Sequence, residues 1–355
     1  MNVLMYVHWA GVGGAEDMVI DEIRYADRSK IDYLFVTETQ ESLTHRELSE
    51  MGVPIEIVRN EHPEDIEAVA RNYRVDLIHT LSCGVLPDSA VKAGLSAGVP
   101  VVEVLACVAP PGAIGNPNVY PIYLCYKHRY HGYSNNESAR VIMGGVDLER
   151  MSRHNGVKQD REEFGLDPIR PVVGWFGRFD QFKCPLSFVD IAYYISLEVP
   201  ECQFVMFGDG VDRGKAEYLA RTRPVNIKFP GMVRNKGKAL HLMDVLVFPT
   251  WQEAFGRVMP EAMAVGTPIV TNDYPVCMEL CDEAAVYVET SRSDPMPRYN
   301  ALQYSRATIS LLGDDVGRER MGSIGAKRAQ TLFDARRMSK EYEQLYETIL
   351  RREKA

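Results

Sequence analysis

No run of about 18 consecutive apolar residues occurs in the 355-residue chain, so no segment is long enough to span a bilayer as a helix. The opening MNVLMYVHW is too short for the apolar core of a secretory signal. No C-x-x-C pair is present, the spacing used by redox dithiols and zinc ribbons. The seven cysteines, Cys83, Cys107, Cys125, Cys184, Cys202, Cys277 and Cys281, are odd in number and scattered, as expected of reduced thiols in a cytoplasm. Cys277 and Cys281 can share a helix face, but two soft ligands alone make no metal site. A basic excess is also missing. The net charge is −9, and residues 1–150 carry all of it, with 12 Lys/Arg against 21 Asp/Glu, while 151–355 hold 28 of each. Such a field does not displace counterions from nucleic acid, and it is a poor match for strong binding to an anionic membrane.

What is present is ordinary globular composition, 46% apolar and 25% charged, at a length that suits two domains. Domains of this size bury enough surface to need no disulfide or metal staple. Short apolar runs bounded by turn signals read as buried strands: Val3–Val7, Tyr33–Val36, Ile55–Val58, Leu77–His79 and Val101–Leu105. Helical patterns alternate with them at Glu16–Ala26, His45–Met51, Glu64–Tyr73 and Asp88–Ala97. The alternation predicts a parallel sheet covered by helices on both faces. It restarts near residue 165, with strands at Val172–Phe176, Gln203–Phe207, Ile227–Phe229, Val245–Phe248, Pro268–Thr271 and Ala285–Val288, and with helices including Leu186–Leu197 and Ala239–Met243. Met151–Arg161 has little apolar periodicity and reads as a linker. The expected fold is α/β, two doubly wound Rossmann-like domains with a cleft between them: residues 1–155, joined by a C-terminal helix from about 335, and residues 165–334. Ligands of such sheets sit beyond the carboxyl ends of the strands.

The most unusual loops lie at those ends. WQEAFGRVMPEAMAVGTPIV (251–270) places Glu253 on the loop before a helix and Glu261 inside it, seven residues between them, with Gly266 as the C-terminal cap. A helix N-terminus suits a phosphate. Glutamates on either side suit hydroxyls, so the pair fits a nucleotide sugar better than a bare phosphate. VVGWFGRFDQFKCP (172–185) brings Arg178 and Lys183 onto one loop, a planar fork and a mobile point charge suited to a diphosphate. GVGGAE (11–16) lets backbone N–H groups approach a phosphate; with Glu16 in place of the third glycine it is not the dinucleotide fingerprint. FGDG (207–210) is either a loop on the nucleobase side or only a turn.

Together with VDLIHTLS (75–82), GVPVV (98–102), IMGGVDLERM (142–151) and FVMFGDG (204–210), these strings resemble the retaining glycosyltransferases of the GT-B fold, family 4 type, in the family's order and over nearly the whole chain. The resemblance implies a sugar transfer from a nucleoside-diphosphate sugar, UDP or GDP, with retention at the anomeric carbon and without a metal or other cofactor. It implies that Arg178 and Lys183 hold the donor diphosphate, that Glu261 holds the ribose hydroxyls and Glu253 those of the donor sugar, and that Phe255 and Gly256 offer backbone N–H groups. Gly13 and Gly14 would close on the phosphates, Val233 would hold the base through its backbone, and Gly177, Gly208, Arg257 and Val258 complete the donor side.

The sequence departs from the family in three places, one of them a shortened segment between Ser134 and Gly144. A histidine expected after the GVPVV strand is missing, and Ala106 and Cys107 stand there. Asn272-Asp273-Tyr274-Pro275 replaces a Gly-Gly. On the acceptor side His8, Glu103, Cys107 and His128 are candidates, with His79 a further histidine. The Tyr- and His-rich stretch Asn118–Tyr133 is read as an element packed on the core or as an acceptor wall. The expected acceptor is a small molecule, a saccharide or a lipid-linked sugar, and the acidic first domain favours an amino-sugar or aminocyclitol. A GT-B nucleotide-sugar epimerase and a catalytically impaired nucleotide-sugar-binding protein are the alternative readings.

Overall fold

The computed structural model of the chain describes residues 1–11, 13–59, 62–82, 89–108, 115–131, 139–152, 157–290 and 300–353. Cys83, Asp88 and the last two residues of the Tyr- and His-rich stretch lie outside the described residues. The chain divides into two compact units, one of Met1–Val146 with Phe333–Ala355 and one of Asp147–Leu332.

The first unit alternates strand and helix: β1 (Asn2–Val7), α1 (Gly14–Tyr25), β2 (Asp32–Thr37), α2 (Leu43–Glu50), β3 (Ile55–Ile57), α3 (Pro63–Asn72), β4 (Leu77–Ser82), α4 (Ser89–Ala97), β5 (Val101–Leu105), β6 (Val119–Tyr123), α5 (Tyr126–His131) and β7 (Arg140–Val141). Its seven strands run parallel in the order β3-β2-β1-β4-β5-β6-β7. Runs such as VLMYV and YLFV are apolar without alternation because helices cover both faces of the sheet. The Tyr- and His-rich stretch resolves into β6 and α5, with Val119, Ile122, Tyr123 and His128 buried.

The second unit continues with α6 (Val157–Glu163), β8 (Val172–Phe176), α7 (Pro185–Glu198), β9 (Gln203–Phe207), α8 (Arg213–Thr222), β10 (Ile227–Gly231), α9 (Lys236–His241), β11 (Val245–Phe248), α10 (Val258–Val265), β12 (Ile269–Asn272), α11 (Pro275–Cys281), β13 (Ala285–Val288), α12 (Ala301–Leu312) and α13 (Asp315–Leu332). Its strands are parallel in the order β10-β9-β8-β11-β12-β13. The core is aromatic-rich, built on Trp175, Phe179, Phe188, Phe204 and Tyr304.

The linker expected at Met151–Arg161 contains most of helix α6. That helix is held by charge rather than by an apolar stripe, which is why hydrophobic periodicity missed it. The buried Arg161 donates to the carbonyl of Leu242 at 2.9 Å and to Asp244 at 2.8 Å, and Asp160 meets Lys238 at 2.9 Å.

The last helix, α14 (Ala335–Glu353), belongs to the first unit. Tyr342 and Tyr346 bury their rings against His79 of β4, at 4.9 and 5.9 Å between centroids. The Tyr346 hydroxyl donates to Glu22 of α1 at 2.5 Å. The start of α14 presses on Gly145, where a Cβ would sit 2.8 Å from the Ala335 Cα and 3.0 Å from the Met338 Cβ. Backbone cannot swing away as a flexible side chain can. Gly145→Ala is therefore expected to destabilise the chain by about 1–3 kcal/mol, the usual cost of overpacking. The measurement is a urea melt followed by circular dichroism, and an unchanged midpoint would contradict the packing described.

Candidate functional site

The strand order of the second unit reverses between β8 and β11, and open α/β sheets bind ligands at such a switch point. The two loops leaving these strands carry Lys183 and Glu253. In the first loop, the Asp180 carboxylate accepts the backbone N–H groups of Phe182 and Lys183 at 3.0 and 3.1 Å, a local turn typical of Asp. The Trp175 indole N–H donates to the Lys183 carbonyl at 3.2 Å. Lys183 is thus fixed through its backbone, and its ammonium donates to Glu253. Arg178, 64% exposed on its side chain, pairs with Asp180.

In the second loop, the Thr250 hydroxyl lies 2.8 Å from Glu253 Oε1 and 3.1 Å from the Phe182 carbonyl. The Asn272 amide donates to the Thr250 carbonyl. Glu253 is only 5% exposed. Both of its contacts fall on Oε1, and Oε2 has no partner among the described residues.

Helix α10 follows. Gly256, at φ +65°, makes the turn into it, and a Cβ there would come 2.6 Å from the Met259 Cε and 3.2 Å from the Glu253 Cδ. Phe255 and Val258 are buried. Gly266, at φ +77°, closes the helix in the left-handed conformation. Glu261 sits in the first turn, 2% exposed. Its Oε1 accepts from Arg257 Nε at 2.8 Å and from Lys236 Nζ at 3.3 Å. Its Oε2, like that of Glu253, has no partner among the described residues. Each buried glutamate is therefore held by cations on one oxygen and open on the other, one on either side of a helix N-terminus.

The sheet continues as loops beyond its strand ends. Gly177 N–H donates to the Phe207 carbonyl at 3.1 Å, Gly208 N–H to the Gly231 carbonyl at 2.8 Å, and Phe179 N–H to the Asp209 carbonyl at 2.9 Å. Gly208 has φ +120°, and a Cβ there would lie 1.9 Å from the Gly177 carbonyl oxygen. The glycine of FGDG is thus demanded by close backbone approach. Val233, half-buried, follows Gly231 by two residues.

The first-unit candidates are placed separately. Gly13 is the N-cap of α1 and Gly14 its first residue; a Cβ on Gly13 would meet Glu16 Oε2 at 2.6 Å. His8 follows β1, with Nδ1 2.8 Å from Glu38. Glu103 is fully buried in β5, in register with Thr80 and Pro121. The buried His128 stands 3.2 Å, through Nε2, from the Cys107 carbonyl, and its ring packs edge-on to Tyr123. Where the family histidine is missing, the backbone carbonyl of Cys107 thus has a histidine partner from α5. His79 is enclosed by α14 tyrosines. In the second unit the replacement Asn272-Asp273 is tied locally, Asp273 accepting from the Thr290 N–H at 3.1 Å and hydroxyl at 2.6 Å.

Lys236 and Thr250 were not singled out from the sequence, and Asn272 only as part of a departure from the family. Their contacts join residues 25, 3 and 22 positions apart, and only Asn235 gave a signal, as the cap whose side chain accepts from Lys238 N–H at 2.9 Å at the start of α9. Burial raises the Cys277 thiol well above its usual range, with the Glu253 charge adding to it, and pushes Cys281 up to about 12. Both thiols stay protonated. Among the described residues no three His, Cys, Asp or Glu side chains converge, and no helix is long and apolar enough to cross a membrane.

Residues 170–309, all within the second unit, match the family model of the group 1 glycosyl transferases. The chain is 30% identical over 139 residues to the D-inositol 3-phosphate glycosyltransferase of Mycobacterium marinum, covering 37% of this chain and 29% of that protein. It is 27% identical over 170 residues to the alpha-D-kanosaminyltransferase of Streptomyces kanamyceticus, covering 47% and 42%. The chain thus spans less than half the length of these two curated relatives. Among solved structures, Anabaena HepE, in complex with UDP and glucose, superposes with a TM-score of 0.82 at 18% identity, over 98% of this chain and 100% of that one. A glycosyltransferase from Rickettsia africae gives a TM-score of 0.80 at 14% identity, over 98% of each. These likenesses give the fold: two Rossmann-like units of the GT-B kind.

The Lys183–Glu253 pair generates a stability prediction. Lys183→Met strands a buried carboxylate and is expected to cost about 1–3 kcal/mol. Adding Glu253→Gln removes the stranded charge and should recover part of that loss, as a double-mutant cycle by urea denaturation would show. A double variant as unstable as the sum of the singles would mean that the two side chains are not coupled.

Proposed function

We propose that this chain is a glycosyltransferase that moves a sugar from a nucleoside diphosphate, UDP or GDP, to an acceptor hydroxyl, with retention of configuration and without a metal. The observation that carries the reading is the pair of buried glutamates, each with one oxygen held by a cation and the other open, flanking the N-terminus of α10. The open oxygens suit ribose hydroxyls at Glu261 and sugar hydroxyls at Glu253. The N-terminus of α10 and the Arg178 and Lys183 cations suit the diphosphate between them. The family model matched over 170–309 and the fold shared with a UDP-bound neighbour support it.

In this reading the bond from the anomeric carbon to the β-phosphate oxygen breaks, and negative charge accumulates on the departing diphosphate. Lys183 and Arg178 stabilise that charge, the kind of fixed electrostatic assistance that lowers such barriers most. The acceptor oxygen attacks the same face, and its proton passes to the leaving phosphate oxygen. Gly177 and Gly208 keep backbone close to the phosphates, and Phe255, Gly256, Arg257 and Val258 present the helix start. Val233 lies by the base. The acceptor is a small molecule, a saccharide or a lipid-linked sugar. The acidic balance of residues 1–150 favours an amino-sugar or aminocyclitol. The cytoplasm is the proposed compartment.

A thermal-shift panel of UDP, GDP, ADP, dTDP and NAD, run without and then with magnesium, tests the reading. One nucleoside diphosphate should stabilise selectively, by about 2.7 kcal/mol at a hundred times its dissociation constant. The shift should vanish in Glu261→Ala, weaken in Arg178→Ala, and need no magnesium. Stabilisation by NAD alone, or by none of the five, would overturn the proposal.

A further inference from the structure

Phe182 and Trp251 stack in an offset arrangement, ring centroids 5.6 Å apart and planes 7° from parallel. Phe182 is 36% exposed and Trp251 half-buried, and neither belongs to the hydrophobic core of the second unit. The stack is nonetheless rigidly mounted. Trp251 N–H donates to the Phe182 carbonyl at 2.8 Å, and the Thr250 hydroxyl lies 3.1 Å from the same oxygen. That hydroxyl also meets Glu253, and Lys183 follows Phe182 directly in the chain. The aromatic surface is therefore built against the Lys183–Glu253 pair, at the switch point. The Trp251 indole N–H donates to no group among the described residues, whereas that of Trp175 is bonded to the Lys183 carbonyl.

Leaving two aromatic rings in partial contact with water forgoes hydrophobic stabilisation. An aromatic face with a polar tip beside it suits a ligand that is apolar on one face and hydroxylated at its rim. A pyranose ring is such a ligand: its C–H face lies on the π-system while its hydroxyls reach the open Oε2 of Glu253 and the indole N–H. A nucleobase is also flat, but the base position in the proposed function lies beyond β10, and β9 and β8 separate that strand from β11. We propose that Phe182 and Trp251 form a platform for a pyranose ring, which orients that sugar against Glu253. The inference rests on the glycosyltransferase reading and deepens it; the ring is that of the donor sugar or of a saccharide acceptor.

The experiment uses the full chain and three variants, Trp251→Phe, Trp251→Leu and Phe182→Leu. In the first arm, methyl β-D-glucopyranoside is titrated against tryptophan fluorescence, with glycerol as the ring-free control. A saccharide-dependent change in the wild type that is lost in Trp251→Phe supports the platform. This arm needs no nucleotide, so it stays readable if the nucleotide panel fails and the glycosyltransferase reading falls. The second arm compares dissociation constants for UDP and UDP-glucose, or for GDP and GDP-mannose if the panel selects guanine. In the leucine variants the diphosphate constant should stay within twofold. A tenfold loss confined to the nucleotide sugar assigns the donor ring. An unchanged nucleotide-sugar constant with a tenfold higher KM for methyl glucopyranoside and kcat within threefold assigns the acceptor ring. No fluorescence response together with unchanged sugar-dependent constants overturns the proposal. So does a tenfold loss of diphosphate affinity in the folded Trp251→Phe variant, which would give the stack to the nucleotide.

Discussion

The ion pair between Lys183 and Glu253 is the interaction on which the rest of the second unit's site depends. A carboxylate this deeply buried is costly to ionise without a partner. Lys183 supplies the charge, and Thr250 supplies a hydrogen bond to the same oxygen. The pair also joins two loops that the sheet itself barely connects, since β8 and β11 are in register only at Val173–Val245 and Gly174–Leu246. Past that point the loops are held by Trp251 N–H and the Thr250 hydroxyl on the Phe182 carbonyl, by the aromatic stack, and by the ion pair. Remove Lys183 from the pair and the remaining ties hold the loops around a buried charge without a cation.

The glycine positions follow from the same demand for close approach. Gly177 and Gly208 carry the hydrogen bonding of β8 and β9 one step beyond the strands, Gly208 donating to Gly231 at the end of β10. A side chain at Gly208 would occupy the space of the Gly177 carbonyl, and φ +120° is open to glycine alone in practice. The result is closely packed backbone at the carboxyl ends of β8, β9 and β10.

Much of this was legible in the residues. Apolar runs such as VLMYV, VVGWF and VLVF have the length and continuity of strands buried on both faces, and the helical patterns between them fix a parallel order. Glu253 and Glu261 stood out because a loop, a glycine turn and a Gly266 cap bracket them. Contacts that close across the fold were not legible. Lys236 reaches Glu261 only because β10 and α9 bring it there, and Phe182 finds Trp251 only because β8 and β11 are neighbours. Helix α6 escaped because Asp160 and Arg161 hold it by charge, which leaves no hydrophobic period to read. In the first unit, His128 and Glu103 were visible as residue types, but their burial and partners depend on β5, β6 and α5 packing together.

The pairing of the site's cations has a consequence for the proposed chemistry. Every cation named at the site already faces a carboxylate: Arg178 faces Asp180, Lys183 faces Glu253, and Arg257 and Lys236 share Glu261. In the proposed reaction the three N–H donors of the Lys183 ammonium are shared between Glu253 and a bound diphosphate, and any turn toward the phosphate weakens its hold on Glu253. A bare diphosphate cannot repair that loss, but hydroxyls on an attached sugar can, by donating to Glu253 as the ammonium turns. Recognition of the phosphates and of the sugar is then one exchange reaction rather than two independent contacts. Arg257 and Lys236 keep Glu261 out of that exchange. The proposed ribose contact can therefore stay fixed while the Lys183–Glu253 contact opens.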